Sequence, residues 1–139
     1  MALHHPEHWS QSFVGLPWLP GGRGRDGCDC WGLVCLVYRE ALQIELPSFD
    51  GAYVTARERR DIAAIVSSER DKMDWREVAT PADFDVLLFR VGRYESHVGI
   101  ACGRGMMLHA SSGNLSAVER IGPMWASRLA AIYRHRMRA

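Results

Sequence analysis

No run of 18 apolar residues occurs in this sequence, which excludes a hydrophobic membrane-spanning helix. The opening stretch, MALHHPEHWSQSF, lacks the apolar segment of an export signal, so the chain is expected to stay in the cytoplasm after synthesis unless something carries it out. An excess of charge is missing too: 17 Lys and Arg stand against 16 Asp and Glu, a formal charge of +1. With no basic stripe, a nucleic-acid partner is not expected. Cysteine is sparse, with four residues at 28, 30, 35 and 102. A single residue separates the first two, and Cys35 and Cys102 lie in apolar segments. That pattern does not form a disulfide framework, and reduced thiols are expected. Internal repeats and low-complexity tracts are absent.

What is present fits one ordinary domain over residues 1–139, 47% apolar and long enough to bury a core. Residues 7–14 read as a short amphipathic helix stopped by Gly15 and Pro17, and residues 16–27 as a Gly/Pro loop. From Asp29 the apolar spacing turns helical. Trp31, Val34, Cys35 and Tyr38 share a side with Leu33 and Val37 nearby, which predicts a helix buried nearly all round. Asp29 is its N-cap candidate, and Pro47 closes the unit. Thr55 with Glu58 forms a capping box for a second helix carrying Ile62, Ile65 and Val66. Trp75–Pro81 reads as a connection. Five short strand-like runs follow, at 85–91, 96–102, 106–112, 116–121 and 128–135. Helices first and an antiparallel sheet afterwards give an α+β class.

Two places carry chemistry. The first is GCDCWGLVCLVYRE, residues 27–40, where an acid and a thiol stand at the start of a buried helix. The second is the pair of strands joined by Gly103–Arg104–Gly105. With Arg104 at the turn centre, paired residues sum to an even number and residues of like parity share a face. The even face then collects Val98, Ile100, Cys102, Met106, Leu108 and Ala110. His97, Gly99, Ala101, Met107, His109 and Ser111 collect on the other. A turn with two central residues would instead bury one histidine in the core. The remaining histidines, His4, His5, His8 and His135, read as surface or structural residues.

A thiol and two imidazoles can perform nucleophilic catalysis. A cysteine attacks as its thiolate, which a helix N-terminus and a neighbouring imidazolium both favour. Cys30 is then the nucleophile and His97 the acid and base, with His109 orienting the first ring. N–H groups at the helix start are placed to hold an oxyanion. Cys35 and Cys102 read as small core residues and Cys28 as a neighbour without a chemical role. The competing reading is a metal site of Cys28, Cys30, His97 and His109. Structural zinc spaces its cysteines by two to four residues, so the one-residue gap disfavours it and neither metal nor cofactor is expected.

At these residues the sequence resembles the NlpC-type family of papain-like cysteine peptidases, and within it the short versions of phage tail modules and gene-transfer particles. The stretches that carry the resemblance are GCDCWGLVCLVYRE, DFDVLLFRV, SHVGIA and MMLHASSG, in that order, from about residue 13 to the last strand. The resemblance implies a helix-borne cysteine packed on a small antiparallel, barrel-like sheet. It also implies cleavage of peptidoglycan stem peptides after γ-D-glutamate, with Cys30 as nucleophile, His97 as base and His109 as third polar residue. Trp18 stands where the family has an aromatic hydroxyl. Asp29 matches a residue that helps bind the stem peptide's free amine, and Trp31 replaces the serine that assists it, which makes uncut cross-linked wall an alternative substrate. Phe84 replaces a glycine before Asp85. The tail subgroup implies tail-tip proteins as partners and a tail particle as the route to the wall. A tail-tip structural protein with little turnover is the rival reading.

Overall fold

The computed structural model describes residues 8–48 and 74–137. The helix expected from Thr55 lies outside them.

The chain enters through a short 3-10 helix, Trp9–Phe13, whose N-cap is the His8 side chain. A two-residue antiparallel ribbon follows, β1 (Arg23–Gly24) with β2 (Gly27–Cys28). It leads directly into α1, Cys30–Leu42. Asp29 caps this helix by accepting the Gly32 N–H at 2.8 Å, and Gln43 ends it in the left-handed region at φ 55°. Every residue from Cys30 to Tyr38 is buried, as the all-round apolar spacing requires. Gly32 permits this close seating. A methyl group there would overlap the Gly22 carbonyl oxygen, so only glycine lets the 21–23 loop lie on the first turn.

Six antiparallel strands form the sheet: β3 (Trp75–Glu77), β4 (Val86–Val91), β5 (Tyr94–Ala101), β6 (Met106–His109), β7 (Ala117–Arg120) and β8 (Leu129–His135). Their spatial order is β3-β8-β4-β5-β6-β7. A short helix, α2 (Pro123–Arg128), connects β7 to β8 with proline in its first turn. Helix α1 packs on the sheet face bearing Val86, Leu88, Val98, Ile100, Cys102, Leu108 and Ala110. Each valine, leucine and isoleucine among them, fully buried, contributes on the order of 1.5–3 kcal/mol. The opposite face has its own smaller core of Leu87, Phe89, Ala101, Met107 and Ile132, with Trp125 of α2 packed against it.

The α+β class holds, with three local differences from the sequence reading. Trp75–Glu77, expected to be a connection, is an edge strand paired with β8 from Trp75↔His135 to Glu77↔Tyr133. Three residues are too few to show alternation. Residues 123–128 are helical, although one turn and a half carries no periodic signal. The expected 7–14 helix is the tighter five-residue turn at 9–13.

The start of β4 shows how the chain accommodates Phe84 where the resemblance implies a glycine. Phe84 itself adopts φ 76°. Three contacts hold it there. Its N–H donates to the Ala101 carbonyl at 2.9 Å, its carbonyl accepts the Tyr38 hydroxyl at 2.6 Å, and its ring stacks on Trp9 with centroids 4.1 Å apart. Next to it Asp85 is buried and receives Arg134 through both oxygens, at 2.9 and 2.8 Å. Phe84→Ala and Phe84→Gly both delete the ring, but only alanine keeps the steric cost of a left-handed backbone. Urea denaturation should rank wild type above Phe84→Gly and Phe84→Gly above Phe84→Ala, the last two about 1 kcal/mol apart.

Candidate active site

The Gly103–Arg104–Gly105 turn gives the register the sequence requires, Ile100↔Leu108 and Ala101↔Met107. His97 and His109 therefore project from the same face. Their rings meet edge to face, with Nε2 of His97 3.0 Å from Nδ1 of His109. Gly99 lies between them on the strand. A methyl group on it would come within 3.2 Å of the Met107 sulfur and 3.5 Å of the His109 Cβ, so glycine leaves the rings room to converge.

Cys30 is the first residue of α1, and its thiol is buried. The sulfur donates to the Ser96 carbonyl at 3.9 Å and receives the Val98 and Trp31 backbone N–H groups. The thiol thus sits against the backbone on both sides of His97. Among the described residues, Nδ1 of His97 has no hydrogen-bond partner. The Cys30 N–H precedes the first intrahelical bond, made by Leu33 N–H to Asp29 O at 2.9 Å.

Burial governs the electrostatics. It pushes the Cys30 thiol up to about 12, the Asp29 carboxylate adding to the rise and the two N–H groups opposing it. His97 is pushed down to about 3, first by burial and then by His109. The resting pair is therefore a thiol and a neutral imidazole. The thiolate–imidazolium pair expected from the helix dipole is outweighed by the loss of solvent. Cys28 and Cys102 are raised to about 11, also chiefly by burial.

The expected substrate contacts are arranged differently. Asp29 is fully buried. Its Oδ1 accepts Gly32 N–H and the Arg23 guanidinium at 3.0 Å, and its Oδ2 accepts Gly21 N–H at 2.8 Å. It fastens the glycine-rich loop to the helix start, and no oxygen is left to meet a substrate amine. Trp31 is buried as well, its indole N–H donating to the Pro47 carbonyl at 2.9 Å. Trp18 is half-buried and paired by a bridge to Cys28, which places it next to the Cys30 segment. His8 pairs with Asp83, and His135 packs edge to face on Trp75 and Tyr38, the structural roles expected of them. Among the described residues, no group of three or more His, Cys, Asp or Glu side chains is arranged to hold a metal ion.

Two residues were not found from the sequence. Glu119 accepts from His109 Nε2 at 2.7 Å, and Trp125 stacks over the His97 ring with centroids 5.1 Å apart and planes 27° apart. Glu119 shares the odd face through the β6–β7 register, Met107↔Glu119 and His109↔Ala117. The irregular 110–116 connection hides that register from parity arguments.

These shifts set a pH window for stability. Below 6.5 the unfolded chain protonates His97 while the folded chain does not, so stability falls as pH drops towards about 3. Above 9 the unfolded chain ionises Cys30 while the folded chain holds the proton, so stability falls again, with Cys28 and Cys102 contributing. Urea titrations should show a plateau from about pH 6.5 to 9. His97→Gln should flatten the limb between pH 6.5 and about 4, above the range in which carboxylates titrate.

The chain is 28% identical over 115 residues to the murein DD-endopeptidase MepS/murein LD-carboxypeptidase of Escherichia coli strain K12, covering 82% of this chain and 53% of that protein. It thus spans about half the length of the curated relatives it matches. Among solved structures it superposes on NlpC1 of Trichomonas vaginalis with a TM-score of 0.65 at 20% identity, covering 91% of this chain and 41% of the other. The NlpC/p60 domain of the peptidoglycan hydrolase SagA gives 0.62 at 18% identity, covering 91% and 92%. The NlpC/P60 family model matches residues 15–134, nearly the whole chain, and this protein belongs to the NlpC/P60 family.

Proposed function

We propose that this chain is a cysteine endopeptidase that cleaves peptidoglycan stem peptides through a thioester on Cys30. One observation carries the reading. The Cys30 sulfur lies against the Ser96 and Val98 backbone, while the ring between those residues is held at Nε2 by His109. That leaves Nδ1, which has no partner among the described residues, as the nitrogen of His97 able to act as base. Family membership and the similarity to a murein endopeptidase support the substrate class.

Because the resting sulfur is protonated, the base acts during attack rather than before it. The sulfur adds to the scissile carbonyl carbon as its proton passes to His97 Nδ1. The carbonyl oxygen becomes an oxyanion, for which the Cys30 N–H is the nearest helix-start donor. Collapse expels the amine, which takes the proton back from Nδ1 and leaves a thioester. Water then attacks the thioester with His97 again as base, and the acid product and free thiol are released. With Asp29 and Trp31 both engaged internally, the groups that elsewhere clasp a free stem amine are not offered, which favours uncut cross-linked wall. The resemblance to the short phage-tail and gene-transfer versions supports a place in a tail or tail-like particle, with tail-tip proteins as partners.

The second reading is a tail-tip structural protein with little turnover, favoured by the burial of the thiol. Mass spectrometry of acid-quenched digests separates the two. The enzyme reading expects a murein-peptide acyl group on Cys30, and an unmodified Cys30 with intact wall sinks it. Cys30→Ala should reduce wall hydrolysis to background, and His97→Ala should lower it by roughly 10²–10⁴-fold. His109→Ala, which removes only orientation, should lose less, and all three proteins should remain folded by circular dichroism.

A further inference from the structure

We infer that Glu119 is a positioning residue of this site, its carboxylate fixing the tautomer of His109 and, through it, that of His97. The inference rests on His97 being the base.

Two hydrogen bonds run in series from the surface inward. Glu119 Oε1 is 2.7 Å from His109 Nε2, and His109 Nδ1 is 3.0 Å from His97 Nε2. An ionised carboxylate only accepts, so His109 Nε2 carries the hydrogen. A neutral imidazole has one N–H, which leaves His109 Nδ1 as an acceptor, and the hydrogen between the rings then belongs to His97 Nε2. The same count on His97 leaves its Nδ1 bare. That nitrogen is the one able to receive the thiol proton. Without the carboxylate, His109 can place its hydrogen on Nδ1 and donate it to His97 Nε2. His97 then carries its own hydrogen on Nδ1 and offers no base there.

The carboxylate is itself held. Glu119 is about half exposed, with 48% of its side chain accessible, and a free glutamate in that setting would sample many rotamers. Its second oxygen instead accepts the Trp125 indole N–H at 3.2 Å. The same indole stacks on His97 and stands edge to face on His109 at 5.4 Å, covering the inter-histidine bond. One α2 side chain therefore holds the carboxylate and shields the rings it orients.

Two variants test this. Glu119→Gln keeps an oxygen able to accept from His109 Nε2, whereas Glu119→Ala removes it. Both variants change one half-exposed strand position, and thermal melts confirm the fold. Long-range ¹⁵N–¹H correlation spectra at pH 7.5 read each imidazole tautomer directly. Wild type and Glu119→Gln should show His97 protonated at Nε2, and Glu119→Ala should shift His97 toward Nδ1–H. In wall hydrolysis, Glu119→Ala should lower kcat by on the order of 10–10²-fold with KM within about twofold, and Glu119→Gln should recover most of it. A wild-type His97 protonated at Nδ1, or an Nε2–H tautomer unchanged in Glu119→Ala, overturns the inference. The spectra need no turnover. If the wild-type protein leaves wall intact, the peptidase reading fails while the tautomers still decide the role of Glu119.

Discussion

Everything at this site depends on the register of one hairpin. A strand alternates its side chains, so shifting the β5–β6 pairing by one residue would turn a histidine into the α1 core and an apolar side chain out of it. The three-residue turn prevents that shift. It places Val98, Ile100 and Leu108 under the helix and both imidazoles on the other face. The apolar demand of one face thus positions the polar chemistry of the other. The cost of mispairing is the exposure of a whole row of core residues, far more than one hydrogen bond is worth.

The sulfur is positioned by a second constraint, independent of the sheet. Asp29 is a buried carboxylate with Arg23, Gly21 N–H and Gly32 N–H around it. A buried ion pair of this kind is weak evidence for net stability but is costly to break on one side only. It ties the loop, the ribbon and the helix start into one unit, and Gly32 allows the loop to come close enough to do so. Cys30 follows immediately, so its location is set by the cap. Its charge state is set by burial, which overcomes the N–H groups that favour the thiolate.

The legible part of this architecture is what periodicity can express. Helix α1, strands β4 to β8, the odd-even sorting of the hairpin and the pairing of His97 with His109 all follow from spacing and one turn. Three kinds of information were hidden. Edge strand β3 and helix α2 are too short to show a period. Glu119 and Trp125 depend on how β7 and α2 return to the hairpin, and the 110–116 connection has no turn signature from which to count. The balance between helix field and desolvation at Cys30 depends on solvent exclusion, which spacing does not measure. Asp29 and Trp31 were given outward tasks from the sequence, because sequence does not reveal which way a loop closes over them.

The indole of Trp31 has a further significance for how this scaffold can vary. The Pro47 carbonyl receives both that indole N–H and the Cys35 thiol, at 2.9 and 3.6 Å, so one backbone oxygen anchors the segment after α1 to the helix. Replacing Trp31 with a serine would therefore free the volume of the indole and remove one of the two donors of that anchor in a single step. Such a change would require a compensating clasp elsewhere, because a smaller side chain at position 31 alone would loosen the segment after α1.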